Sequence, residues 1–313
     1  MSRVPSLRVL CAIISVVLAS APGSARAQAF TPPDGVGAIT LAWQYVDNTG
    51  HRFSDGYFEP GFSDESVTTS GLLETEYAIS GRLAATLGVP YVFAKYTGQG
   101  PSFSGLPRDE CRCWHSEFAD FGASLRYRLG SDTWAVTPAV RFVLPSHAYP
   151  YRGEAVVGKR LAEWQVGVFI GWRLVNLWPA ATLQAGYTYA FVEQPLDDIS
   201  IDRSNLFADL GYAVNRRVYL RVAWLGQHTH GGLRIGSPSG NPFPFPGEFT
   251  TPLSLTQVDR VLRSHYMQVA GGASFDAGPV DIFVSYTKYV WGRDAHNGQV
   301  FGGGVTWYFG MPE

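Results

Sequence analysis

Two groups of side chains in this 313-residue sequence have the types and spacing to do chemistry. The first is a set of acids and arginines, each placed on every second residue of an otherwise apolar or small-residue run. The acids are Glu74, Glu76, Asp120, Glu163, Asp209 and Asp281; the bases are Arg82, Arg126, Arg128, Arg141, Arg173 and Arg221. Six against six is neutral. Every base is Arg, whose planar, weakly hydrated fork pairs bidentately with carboxylates. Such a set can knit itself into an ion-pair lattice, or it can line a polar path that selects solutes by charge. The second group is Cys111-Arg112-Cys113-Trp114-His115. A structural zinc site takes four ligands at fixed spacings, and no C-x-x-C partner is present. A disulfide between Cys111 and Cys113 is the leading reading, with free or intermolecular thiols and a metal as alternatives. No metal or other cofactor is expected.

Other chemistries find little support. His51, His147 and His296 fall near expected loops, but no G-x-S-x-G or comparable serine setting accompanies them. Asp47, Asp55, Glu59, Asp64 and Glu65 lack the D-x-D-x-D-G order of a calcium loop and read as a solvated anionic rim. No glycine-rich segment leads into a helix, so no phosphate cradle is formed. The chain is not read as an enzyme.

The elements that must carry the charges are strands. Between Ala119 and Leu129 one parity is Ala119, Phe121, Ala123, Leu125, Tyr127 and Leu129, all apolar. The other parity is Asp120, Gly122, Ser124, Arg126 and Arg128, all small or charged. This period-two alternation recurs in segments of about ten residues from residue 37 onward. Twelve such segments are counted, and an even number is what a closed antiparallel barrel requires. The links alternate as well. Short ones fall near 80–81, 130–132, 176, 215–216 and 276–278, and long ones near 47–66, 95–115, 145–158, 193–202, 228–262 and 291–297. Short turns on one side and long loops on the other are the pattern of the two faces of an outer-membrane barrel. The expected fold is therefore all-β, a twelve-stranded antiparallel transmembrane barrel of the bacterial outer membrane.

Composition agrees and excludes rivals. With 44 Trp, Tyr and Phe, 35 Gly and 16% charged residues, the chain is neither disordered nor basic enough to neutralise nucleic-acid phosphates. Beyond the amino terminus no run of about 18 apolar residues appears, which argues against membrane helices. Residues 1–27 read as a secretory signal: Arg3 and Arg8, then the apolar stretch Val9 to Ala19, then Ala25-Arg26-Ala27 as the cleavage pattern. Removing it takes three Arg and leaves 21 Lys+Arg against 26 Asp+Glu. The expected organisation is a cleaved signal at 1–27, a short periplasmic segment at 28–36, and a single barrel domain at 37–313. The stretch 228–262 is the most distinctive loop, rich in Pro and Gly, and Phe243 and Phe245 make it a candidate gate. Leu253 to Leu262 could add one or two helical turns.

Several blocks resemble an outer-membrane transporter family associated with the meta-pathway of phenol degradation. Glu76-Tyr77-Ala78-Ile79-Ser80-Gly81-Arg82-Leu83 running to Gly88-Val89-Pro90-Tyr91 resembles that family's second hairpin. Ala119-Asp120-Phe121-Gly122 through Leu125-Arg126-Tyr127-Arg128-Leu129 is similar to its G-D-hydrophobic-x-L-x-x-R-Y block, with Ala119 where Gly is usual. Val143-Leu144-Pro145-Ser146 is similar to its strand exit, with Ser146 where Thr-Gly is common. Gly292-Arg293-Asp294-Ala295-His296-Asn297 resembles its closing G-R-x-x-H element. The resemblance implies passage of small, aromatic molecules across the outer membrane.

The expected function is thus a porin-like channel for small hydrophobic or aromatic solutes. They would diffuse passively through a polar lumen lined by the twelve charges above. The alternative is a non-conducting structural or surface-interaction barrel, sealed by the same charges. Expected partners are outer-membrane lipid and lipopolysaccharide, small hydrophobic solutes, and the barrel-assembly machinery, which would read the aromatic ending Phe301, Val305, Trp307 and Phe309. No nucleic acid is expected. The location is the Gram-negative outer membrane.

Overall fold

The structure, a computed structural model, describes residues 28–60, 66–96, 113–149, 157–175, 178, 180–196, 199–234 and 260–311. In chain order the strands are β1 (Gly37–Arg52), β2 (Phe58–Pro60), β3 (Ser66–Ser80), β4 (Leu83–Tyr96), β5 (His115–Phe118), β6 (Asp120–Tyr127), β7 (Leu129–Gly130) and β8 (Trp134–Pro145). There follow β9 (Glu163–Arg173), β10 (Ala181–Val192), β11 (Ile201–Ala213), β12 (Val218–Gly231), β13 (His265–Asp276), β14 (Val280–Arg293) and β15 (Ala295–Phe309). Twelve of them pair in the circular order β1, β3, β4, β6, β8 through β15, and β15 returns to β1. The short β2, β5 and β7 lie against β1, β4 and β8. Every pairing between these strands is antiparallel, and the closing seam runs from Gly37 opposite Phe309 to Arg52 opposite Ala295, with one shift of register between Asn48 and Gly50.

Closure follows from the alternation. On β1, Leu41 and Trp43 are 63% and 52% exposed, while Ala38, Thr40 and Ala42 on the other parity are under 8%. On β10, Leu183, Tyr187 and Phe191 point out and Gln184 and Ala190 point in. The same sorting continues around the ring, so large apolar side chains cover its whole circumference. Soluble monomers rarely expose apolar patches above about 300–600 Å². In hydrocarbon that surface is favourable, and a closed ring leaves no unpaired backbone edge to meet lipid. Apart from Trp43 in the middle of β1, the exposed tryptophans of the described residues gather into two belts: Trp134, Trp172, Trp178 and Trp307 near the short links, and Trp114, Trp164 and Trp291 toward the long ones. Aromatic girdles at both interfaces are characteristic of transmembrane barrels.

The short links close by local chemistry. Asn215 Oδ1 accepts from the amides of Arg217 and Val218 at 2.8 and 2.9 Å, an Asx turn between β11 and β12. Between β13 and β14, Asp276 Oδ1 accepts from the amide of Gly278 at 2.7 Å, and Gly278 takes the left-handed φ of 91° that a side chain would resist.

Several boundaries differ from the sequence reading, and the first is that β1 runs through 47–52, read as loop. The link expected at 291–297 is strand almost throughout. β14 runs to Arg293 and β15 starts at Ala295, with only Asp294 between them at φ 51°. Its charged and polar residues lack apolar parity, yet those of β14 pair with β13 and those of β15 with β1. His228 and His230, read as opening a loop, likewise lie on β12. The segment 28–36, read as a short periplasmic piece ahead of the barrel, begins inside it. Gln28 to Phe30 lie against the inner wall, and the chain then crosses to β1, as described below.

Candidate functional site

The barrel encloses a cavity of about 640 Å³. Seven of the twelve charges singled out in the sequence stand on its wall: Glu74, Glu76, Asp120, Arg126, Arg141, Glu163 and Arg221. Asp209 is buried just behind, bonded to Arg221 Nε and to Gln184 Nε2. The other four do not reach the cavity. Arg82 is exposed at the β3–β4 turn. Arg128 is bonded at 3.1 Å both to Asp132 and to the Gly81 carbonyl. Arg173 lies over the Phe30 ring at 4.7 Å. Asp281 accepts from the Tyr308 hydroxyl at 2.6 Å.

The wall charges are arranged mainly as cross-strand pairs. Arg126 on β6 bonds Glu76 on β3, Arg203 on β11 bonds Glu163 on β9, and Arg221 on β12 bonds Asp209 on β11. Each pair joins two strands from the inside, and each acid is buried. Losing one partner would leave an uncompensated charge, a far larger penalty than the pair's net contribution. Arg141 on β8 differs: it lies along the wall over Gly122, within the field felt by Glu74. Arg203 was missing from the sequence reading, although extending the inward parity of Phe207 and Asp209 by two steps would have found it. Gln184 is uncharged, so nothing in the sequence sets it apart from other inward polar residues.

Aromatic surface is also present. Phe169 and Phe207 meet inside the barrel at 5.7 Å between centroids. Gly186 permits this: a Cβ there would lie 2.3 and 2.5 Å from the two rings. The wall thus offers carboxylates, guanidiniums and an aromatic pair around one volume.

Chain packs beside the cavity at the long-loop end and against it at the short-turn end. At the long-loop end the hydroxyl of Tyr149 donates to Asp120 Oδ1 at 2.6 Å and accepts from the Arg160 amide at 2.8 Å. Arg160 Nη1 donates to the Tyr149 carbonyl, and Arg260 donates to the carbonyls of Lys159 and Arg160. Beside this clasp Leu161, Val192, Ile201 and Val261 form a buried apolar cluster. Burial, then the neighbouring Asp120, hold the Tyr149 phenol well above its ordinary value. Burial and the nearby Arg203 push the Lys159 ammonium down to about 8.

At the short-turn end the cover is residues 28–31. The Ala29 amide donates to Gln184 Oε1 at 3.1 Å, and Thr137 donates to the Ala29 carbonyl at 2.6 Å. Arg126 Nη1 donates to the Gln28 carbonyl at 3.1 Å, and Gln28 itself stands on the cavity wall. Ala29 and Phe30 are 0% and 6% exposed and pack on Ala135 and Phe169.

Other expected features sit elsewhere. Phe243 and Phe245 lie outside the described residues, as does Cys111 and most of the stretch 253–262. Cys113 is disulfide-bonded. His228 stacks on His265 at 4.3 Å, and among the described residues no group of three or more His, Cys, Asp or Glu is placed to hold a metal ion.

Comparison with solved structures gives an outer-membrane channel from Pseudomonas putida F1. The match has a TM-score of 0.64 at 12% identity, over 92% of this chain and 100% of the other. A NanC porin follows at a TM-score of 0.49 and 8% identity, over 86% of this chain and 98% of the other. No protein-family model matches the sequence. No curated protein matches it. At these identities the likeness to the Pseudomonas channel is one of fold: an outer-membrane β-barrel.

Proposed function

We propose that the protein is an outer-membrane channel through which small solutes, aromatic ones among them, diffuse passively. The observation that carries this reading is the 640 Å³ cavity inside a closed ring, walled by paired charges and the Phe169–Phe207 pair. The charges keep the interior wet, the pairs limit the cost of burying them, and the aromatic faces give a ring-shaped solute a low-energy resting place. Support comes also from the Pseudomonas neighbour, itself an outer-membrane channel. The motif resemblance to the phenol-degradation transporter family points the same way. On this reading the signal at 1–27 is removed, the barrel-assembly machinery inserts the chain, and the outward apolar band faces outer-membrane lipid and lipopolysaccharide.

One observation favours a second reading. Chain is bonded into the barrel at its inner end and clasped beside its outer end, which narrows the path as in a non-conducting structural barrel. Swelling of liposomes carrying the refolded protein separates the two. Uptake of phenol or benzoate with exclusion of a disaccharide is the expected result. No uptake of any solute, with the folded barrel verified by its heat-dependent gel mobility, would reject the channel.

A further inference from the structure

Resting on that channel reading, we propose that the stacked pair His228 and His265 is an acid-released latch. At neutral pH it holds residues 260–264 in the outer clasp, and protonation frees them and widens the outer mouth.

The pair stands where β12 and β13 rise past the outer aromatic belt. Met267 lies opposite Trp291 of that belt, and His265 lies opposite Arg293, two residues farther out. The rings of His228 and His265 stack at 4.3 Å between centroids with 20° between their planes, and His230 meets His228 edge-on at 4.9 Å. His265 is buried, whereas His228 is exposed. The β12–β13 ladder ends at Gln227 opposite Tyr266, and side chains make the next rung. The Thr229 amide donates to His265 Nδ1 at 3.2 Å, and the Thr229 hydroxyl donates to the Ser264 carbonyl at 2.8 Å. Nδ1 accepts only while it carries no proton, so protonation there turns the rung into two facing donors.

This rung fastens the clasp. Beyond it the chain turns through Gly231 and Gly232, both at left-handed φ, and Leu233 donates to the Val261 carbonyl and accepts from the Arg263 amide. Val261 belongs to the buried apolar cluster of the clasp, and Arg260 donates to the Lys159 and Arg160 carbonyls. Residues 260–264 thus join the histidines directly to the outer end.

The surroundings make an added charge costly. Facing the pair are Arg263 and Arg234 beside it, Arg293 on β14, His230 on β12, Asp294 between β14 and β15 and, past His230, Tyr189 on β10. Asp294 is engaged by Arg263 at 2.7 and 2.9 Å, and Asp202 by the Tyr189 hydroxyl and the Val192 amide. Burial, then Arg263 and His228, push the His265 imidazole down from its ordinary 6.5 to about 4. Desolvation, then His230 and Arg263, shift His228 the same way. The folded latch favours the neutral ring, so it is intact above pH 6.5. It weakens by about tenfold per pH unit below that, until the folded ring itself titrates.

The test follows the refolded mature barrel, His265→Asn and His228→Phe from about pH 7.5 to 4.5, a range that spans most of the interval over which the latch weakens. Heat-dependent gel mobility verifies each barrel. Asn keeps an acceptor near the Nδ1 position and does not titrate; Phe keeps the stack without its charge. Protection of the Thr229 amide against hydrogen exchange, corrected for the intrinsic rate, should fall at least about tenfold in the unaltered protein. The fall should be smaller in His228→Phe and absent in His265→Asn, with β8 and β9 amides level throughout. Conductance in planar bilayers should rise several-fold over the same range and stay flat in His265→Asn. Level protection in the unaltered protein, or the same fall in His265→Asn, would overturn the latch. Falling protection with a measurable but flat conductance would overturn its action on the mouth. A folded barrel that is silent at every pH would overturn the channel reading, and the exchange result would still decide the latch.

Discussion

The chain at the two ends of the lumen is held in different ways. The outer end is held by three separate stretches of chain, with Tyr149, the 157–162 segment and residues 260–262 meeting through side-chain bonds and a shared apolar cluster. The inner end is held by one short segment, bonded through its own backbone to side chains of the wall. Opening the outer end means separating several elements together, so its contacts support one another. Opening the inner end loses one compact set of contacts. The difference teaches that bonding density alone does not make a gate; what matters is how many independent stretches must move.

The largest expected effect falls where the inner cover meets the wall lattice. Arg126→Ala leaves Glu76 buried without its cation and removes the donor to Gln28. A loss of about 3–5 kcal/mol is expected from stranding such a charge. Denaturant midpoints of the refolded barrel measure it, and adding Glu76→Ala should restore much of the loss. If the double variant is no more stable than the single one, the pair is not what holds β3 to β6 from inside.

Next comes Phe30→Ala, with about 3 kcal/mol expected to be lost from the seat of the inner segment. Here the comparison sharpens: hydrogen exchange at the Ala29 amide should speed greatly while the strand amides keep their protection. Equal acceleration of both would mean that the inner segment unfolds only with the barrel and is no more separable than the outer clasp.

A smaller effect is expected at the outer end. Tyr149→Phe removes one donor and one acceptor, about 1–2 kcal/mol, and should raise protease cleavage within 145–162 without changing the midpoint of the barrel. The pH dependence has a definite sign. The folded state holds the phenol above its ordinary value of 10.0, so it favours the neutral form. The clasp's contribution is therefore intact below pH 10 and is lost as pH rises above it, when the opened loop can ionise. Cleavage that falls as pH rises above 10 would contradict this assignment.

The smallest structural effect belongs to Arg141→Ala. The arginine lies against Gly122 on the wall and, among the described residues, makes no ion pair of the kind made by Arg126, Arg203 and Arg221. Its loss should shift reversal potentials toward cations while the unfolding midpoint stays within the roughly 0.5 kcal/mol typical of a neutral substitution. An unchanged reversal potential would place it off the ion path.

Period-two alternation made most of the barrel legible, because each side chain's face in a strand depends only on its parity. Leu125 and Arg126 are neighbours, and their opposite fates, lipid and lumen, could be read directly. The ribbon ends were not legible. Above the membrane the strands of 291–297 need no apolar face, so the pattern that identifies a strand disappears while the pairing continues. Arg203 was lost for the same reason, at the outer end of β11.

By itself, then, the sequence determined the architecture: which segments are strands and which face meets lipid. These are local properties, written in the side chains of each strand. The partners across the lumen were decided only by the tertiary structure. Arg126 is 50 residues from Glu76, and the Ala29 amide is 155 from Gln184. Such separations carry no periodic signal, and only closure of the ring brings these groups within bonding distance. That closure also turned a nondescript stretch, Gln28-Ala29-Phe30-Thr31, into the cover of the inner mouth.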